Sequence, residues 1–185
     1  MIKDQKNQLS FLTIILHWLI AITIIGLIVV GIYMEENEVY ALYPWHKSLG
    51  VMILAFIGVR VVWRAMNGWL EPAGEYTPWE KKLSKIVHWL LIIGMLLFPV
   101  SGMLMSGFGG HGINVFGLEL MPVNFDPSNP QKVLPVNENL AGVGHIMHGM
   151  LGNVFIVLIA LHMLGALKHH FVDRDLTLKR MLGRS

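Results

Sequence analysis

The chain has 185 residues, 54% of them hydrophobic and only 14% charged, with a formal net charge of +2 and a mean hydropathy of +0.57. So little charge cannot cover the surface of a water-soluble domain of this length, and composition excludes that class. Cysteine is absent, which removes disulfides, thiolate metal sites, iron–sulfur clusters and thioether-linked haem.

A helix needs about 20 mostly apolar residues to cross the hydrocarbon core. Four segments qualify, predicted at roughly 9–33, 45–66, 83–106 and 140–169. Lipid leaves only helices or a closed barrel to satisfy the backbone. The expected fold is therefore an all-α membrane protein, one four-transmembrane-helix bundle over residues 1–185. Lys3 and Lys6 precede the first segment, but its apolar run is too long for a signal peptide. No Ala-x-Ala site follows, so it is read as a retained helix, and it carries His17. The second segment has His46 at its start and Arg60 and Arg64, one turn apart, at its end. The third has His88 near its start. A long connection, roughly 107–139, opens with the flexible Gly-Phe-Gly-Gly-His-Gly. Pro122, Pro127, Pro130 and Pro135 rule out a long helix there. A loop of that length is commonly functional. The fourth segment carries His145, His148, His162 and His169.

Charge sets the expected orientation. Twelve of the 14 lysines and arginines fall on the two tails, the second connection and the helix ends beside them. Both termini are accordingly expected in the cytoplasm. The opposite side holds only Lys47 and Lys132 against Glu35, Glu36, Glu38, Glu119, Asp126 and Glu138, a balance of −4. The cytoplasmic side then balances at +6. The cations sit beside membrane spans, so they read as topology signals and not as a nucleic-acid surface.

Ionisable groups inside a span are costly, and each is a functional candidate. His148 and His162 are 14 residues apart, about 21 Å along a helix and within about 40° of one face. His46 matches His148 in depth on the outer side, and His17 matches His162 on the inner side. Two layers, each with a histidine from each of two helices, are what bis-histidine ligation of two b-type haems requires. A ring lying against a helix also needs small residues one turn on. Ala21, Gly50, Gly152 and Ala166 follow His17, His46, His148 and His162 at four residues. His145, followed by Gly149, stays a rival to His148. His88, His111 and His145 otherwise read as interfacial, solvated or supporting groups. Any one histidine alone is as well explained by a hydrogen bond between helices. A haem-free protein whose histidines bind metal ions or only hydrogen-bond is a further possibility. Met103 or Met105 could touch an outer haem. Zinc hydrolysis lacks a His-Glu-x-x-His helix, and no nucleotide loop or nucleophile elbow appears.

Across nearly its whole length the chain resembles the bacterial cytochrome b561 family. The resemblance rests on Ile15-Leu16-His17-Trp18-Leu19, Trp45-His46-Lys47-Ser48-Leu49-Gly50 and Arg60-Val61-Val62-Trp63-Arg64. It continues through Val87-His88-Trp89-Leu90, Pro99-Val100-Ser101-Gly102, the span from His148 to His162, and Lys168-His169-His170-Phe171. It implies an inner haem between His17 and His162 and a periplasmic-side haem between His46 and His148 in the bacterial inner membrane. It also implies electron transfer to a quinone, with ubiquinone the expected acceptor near His169. The superoxide oxidases similar to it take their electron from superoxide. Other relatives serve as haem-bearing anchor subunits of hydrogenases or dehydrogenases, the alternative role here. The sequence departs from the superoxide oxidase pattern in its acidic outer side, which suits a cationic donor or a redox protein better. It departs again where Glu75 and Thr77 stand in place of lysines, with Lys81 and Lys82 later. Arg60 is read either as a snorkelling anchor or as the partner of an inner-haem propionate.

Overall fold

The computed structural model describes residues 3–5 and 7–184; Lys6, one of the expected topology cations, lies outside the described residues. Helix α1 spans Phe11–Asn37, α2 Tyr43–Asn67, α3 Pro78–Phe108 and α4 Glu138–Phe171, with a 3-10 turn at Tyr40–Leu42 and a short α5 at Thr177–Met181. The four long helices are apolar enough to cross a membrane, with best windows of mean hydropathy 2.6, 1.8, 2.0 and 2.2. Between α3 and α4 lie β1 (Ile113–Val115), β2 (Leu118–Met121), β3 (Phe125–Asp126) and β4 (Asn129–Val133), forming two antiparallel hairpins, β1–β2 and β3–β4.

Local chemistry explains where the helices start. At α1, Ser10 Oγ accepts the Thr13 amide at 3.2 Å, an N-cap. Asp4 accepts both the Ser10 amide at 2.8 Å and the Thr13 hydroxyl at 2.9 Å. The same carboxylate pairs with Arg64 at 3.0 Å, and Trp63 Nε1 donates to Thr13 Oγ1 at 2.8 Å. Helix α3 begins at Pro78, about five residues before the hydropathic expectation. Thr77 Oγ1 accepts the Glu80 amide at 3.3 Å while Glu80 Oε2 accepts the Thr77 amide at 2.9 Å. This is a capping box with proline at the first helical position. Asn137 starts α4 by accepting the Leu140 amide at 3.0 Å. Helix α1 runs past Tyr33 to Asn37, because leaving the apolar core does not stop a helix. It ends where Glu38 turns left-handed, φ 54°.

The connection after α3 departs from the flexible loop that its glycines suggest. Gly110 and Gly112 have φ of 83° and 64°, and a Cβ on Gly110 would collide with the Leu134 carbonyl. Here glycine serves close packing in a left-handed backbone, not mobility. The β1–β2 turn puts Phe116 and Gly117 at φ 50° and 95°, the two positive values of a type I′ hairpin turn. The β3–β4 turn is built by Asp126 Oδ1, which accepts the Ser128 amide at 2.8 Å and its hydroxyl at 2.6 Å, an Asx turn.

The chain groups into two compact units, each drawing on all four long helices. Unit 1 comprises Met1–Ala21, Phe56–Gly94 and Val154–Ser185. Its buried apolar residues include Leu16, Ile20, Ile57, Val87, Phe155 and Leu158, and Gly94 leaves the room that the Phe155 ring fills. Unit 2 comprises Ile22–Ala55 and Met95–Asn153. It buries Ile24, Ile28, Met34, Ile53 and Met95 together with the hydroxyls of Ser48, Ser101 and Ser106.

Candidate functional site

Each unit brings two histidine rings face to face. In unit 1, His17 from α1 and His162 from α4 have ring centres 6.1 Å apart at an interplanar angle of 60°. In unit 2, His46 from α2 and His148 from α4 have centres 6.3 Å apart at 80°. Metal–imidazole bonds of about 2 Å place two rings that share one ion through their outer nitrogens about 6 Å apart, centre to centre. Both separations match that requirement. The donor set also suits haem iron, being neutral imidazole on both sides and no thiolate. His17 Nδ1 and His46 Nδ1 are buried and find no hydrogen-bond partner among the described residues. In a protein-only reading an unmade hydrogen bond of that kind costs about 1–3 kcal/mol.

His148 is held differently. Its Nδ1 lies 3.2 Å from the Phe98 carbonyl and 3.1 Å from Ser101 Oγ. A carbonyl only accepts, so Nδ1 carries the proton and the lone pair sits at Nε2. The Phe98 ring lies 4.6 Å from the imidazole centre.

Glycines make room for these rings. A Cβ on Gly102 would stand 3.1 Å from His148 Cε1, and one on Gly31 would stand 3.3 Å from His46 Cε1. Both glycines sit on a different helix from the ring they face, so a count of four residues along one helix does not find them. Of the glycines that count does select, Gly50 has nothing within 4 Å of a built Cβ, and Gly152 only Phe98 at 3.7 Å.

The remaining candidates sort by geometry. His88 meets His162 edge-on, with centres 5.1 Å apart at 88°, too close for an iron between them. It donates Nδ1–H to the Ser84 carbonyl at 2.7 Å. His145 is exposed, with its Nδ1 3.4 Å from Met105 Sδ, and the ring opposite His46 is that of His148. His111 is exposed. Arg60 lies within electrostatic range of His17, His88 and His162. Among the described residues it has no carboxylate partner, whereas Arg64 is committed to Asp4.

His169 belongs to a polar network at the end of α4. Its ring packs on Tyr76 with centres 4.3 Å apart, and Nδ1 lies 2.7 Å from Asp173. Lys168 pairs with Asp173 at 2.8 Å and with Glu80 at 2.5 Å. That ammonium holds the Asp173 carboxyl below its usual range. Tyr76 donates its hydroxyl to Asp175, and burial followed by that carboxylate pushes the phenol up. His169, Asp173 and Asp175 bring three ligand atoms within 4.8 Å. Lys168 and Tyr76 already occupy those carboxylates, so the group is an ion-pair network and not a cation site.

The chain is similar to known proteins along nearly its whole length. The model of the family described as prokaryotic cytochrome b561 matches residues 8–184. Cytochrome b561 homolog 2 of Escherichia coli (strain K12) is 32% identical over 176 residues, covering 91% of this chain and 88% of that protein. Cytochrome b561 homolog 1 of the same organism is 26% identical over 185 residues, 96% and 98% of the two chains. A probable superoxide oxidase CybB of Yersinia pestis is 27% identical over 186 residues, 96% and 97%.

Proposed function

The chain belongs to the prokaryotic cytochrome b561 family of membrane haem electron-transfer proteins, and from that premise we propose that it binds two haem b groups and carries electrons across the bacterial inner membrane to a quinone. His17 and His162 hold one group and His46 and His148 the other, within one four-helix domain whose termini are both cytoplasmic. The reading rests on the two imidazole pairs, 6.1 and 6.3 Å between centres. Haem b would supply one-electron chemistry when bound, and the chain would supply imidazole nitrogens, burial and charge compensation. Arg60, a cation without a carboxylate among the described residues, pairs with a propionate of the unit 1 group.

The test is a reduced-minus-oxidised spectrum of purified protein, with haem counted per chain as the pyridine haemochrome. Two b haems are expected. A colourless preparation overturns the proposal, and a single haem overturns the two-pair reading.

Quinone reduction belongs to the end of α4. With Nδ1 of His169 taken by Asp173 at 2.7 Å, its Nε2 is the nitrogen left to meet a quinone carbonyl. His169→Ala is expected to lower quinone reduction about tenfold, the loss of roughly one hydrogen bond. Haem content should stay at the wild-type value. Unchanged steady-state kinetics with ubiquinone would move the acceptor elsewhere.

The donor acts at the unit 2 pair. The probable superoxide oxidase among the relatives makes superoxide one option. Unit 2, however, holds two lysines against six carboxylates, which favours a cationic carrier. A subunit role remains a second reading. It is favoured by the hairpin side chains Phe116, Leu118, Leu120 and Phe125, which are 52%, 65%, 54% and 52% exposed. Turnover by the purified chain alone would exclude an obligate partner.

A further inference from the structure

We infer that Ser101 is a positioning residue that sets the reduction potential at the His46–His148 pair, by accepting a hydrogen bond from the Nδ1–H of His148. The inference rests on the reading of His148 as an axial ligand.

Ser101 is fully buried, at 0% exposure, and faces a membrane-embedded histidine on a neighbouring helix. Its hydroxyl has one proton, and that proton is spent: Oγ donates to the Phe98 carbonyl at 2.7 Å. The lone pairs of Oγ are therefore what face His148 Nδ1, 3.1 Å away. The Phe98 carbonyl faces the same nitrogen at 3.2 Å. One N–H is thus shared by two acceptors, both supplied by the Phe98–Ser101 turn of α3. Gly102, next along, lets the ring approach, since a Cβ there would lie 3.1 Å from Cε1. The Phe98 ring at 4.6 Å limits how far the imidazole can turn.

The ring opposite has no such pair of acceptors. His46 Nδ1 is buried and has no partner among the described residues, and His17 Nδ1 in unit 1 is in the same condition. Accepting a proton's hydrogen bond at Nδ1 makes Nε2 a stronger donor and favours the more oxidised metal. His148 is therefore the stronger donor of its pair, and Ser101 supplies one of its two acceptors.

The experiment is a spectroelectrochemical titration of the purified holoprotein, comparing the natural sequence with Ser101→Ala, Ser101→Cys and His148→Ala, with haem counted in each. Ser101→Ala should keep both haems. It should shift the reduction equilibrium of one of them about tenfold towards the reduced form, which for one electron is about 59 mV. The other potential should not move. Ser101→Cys, whose sulfur is a weaker acceptor, should fall between. A general packing defect would not grade the potential in this order at one haem only. Unmoved potentials in Ser101→Ala with both haems bound, or loss of haem from both Ser101 variants, overturns the inference. If His148→Ala retains two haems, the ligand assignment has failed. If it loses one while Ser101→Ala shifts nothing, only the role of Ser101 has failed.

Discussion

His148→Ala is expected to purify with one haem per chain in place of two, and His17→Ala is expected to do the same by losing the other one. Each substitution removes one of two rings whose centres stand 6.3 and 6.1 Å apart, and the surviving ring offers an iron a single nitrogen. Altering even a supporting partner of a metal ligand costs about 10–100-fold in affinity, and removing the ligand should exceed that. The two losses should be independent, because each pair sits in its own compact unit with its own buried residues. Donor-to-quinone transfer should fall by at least about 100-fold in either variant. His88→Ala and His145→Ala are the controls. The His88 ring is 5.1 Å from His162 and its Nδ1 is engaged by Ser84, while His145 faces Met105. Both variants should keep two haems. Loss of a haem from His88→Ala, with His17→Ala unaffected, would transfer the unit 1 site to the His88–His162 pair.

The sequence shows the juxtaposition of His17 with His162 and of His46 with His148 because helix rise is fixed: once four spans are drawn, residue number becomes depth. Contacts between helices have no such ruler. Ser101, Gly102 and Gly31 touch the rings of His148 and His46 from neighbouring helices, and no period along one chain segment marks them. Arg60 and Arg64 look alike in the sequence, one turn apart. Only the fold separates them, by bringing Asp4, which is 60 residues away in the chain, to Arg64. Some missed features were legible all the same. Thr77-Pro78-Trp79-Glu80 is a capping box, although hydropathy alone places the span start at about Leu83. Asp126-Pro127-Ser128-Asn129 has turn chemistry and marks the β3–β4 hairpin. The β1–β2 turn was harder, because Phe116-Gly117 lacks the Asn-Gly or Asp-Gly pair that usually signals a type I′ turn.

Oxidation of superoxide by this protein is expected to speed up as salt is added, whereas electron uptake from a small basic redox protein is expected to slow down. Both unit 2 cations are already engaged. Lys47 Nζ donates to Ser106 Oγ at 3.1 Å and to the His111 carbonyl at 3.2 Å. Lys132 lies 4.0 Å from Asp126. Glu35, Glu36 and Glu38 are exposed and form no ion pair among the described residues. An approaching anion therefore meets a repulsive field reaching about 30 Å at 0.01 M salt and only about 8 Å at 0.15 M. Steering of this kind changes association rates by about 10–1,000-fold. The triple variant Glu35→Gln, Glu36→Gln, Glu38→Gln should raise the superoxide rate at low salt by about tenfold and flatten its salt dependence. With the basic carrier the same variant should be slower. Stopped-flow reduction of the haem band at 0.01 and 0.15 M salt reads both donors. A superoxide rate that falls with salt would mean a local cationic path to the His46–His148 pair outweighs the carboxylates, and it would return superoxide to the position of favoured donor.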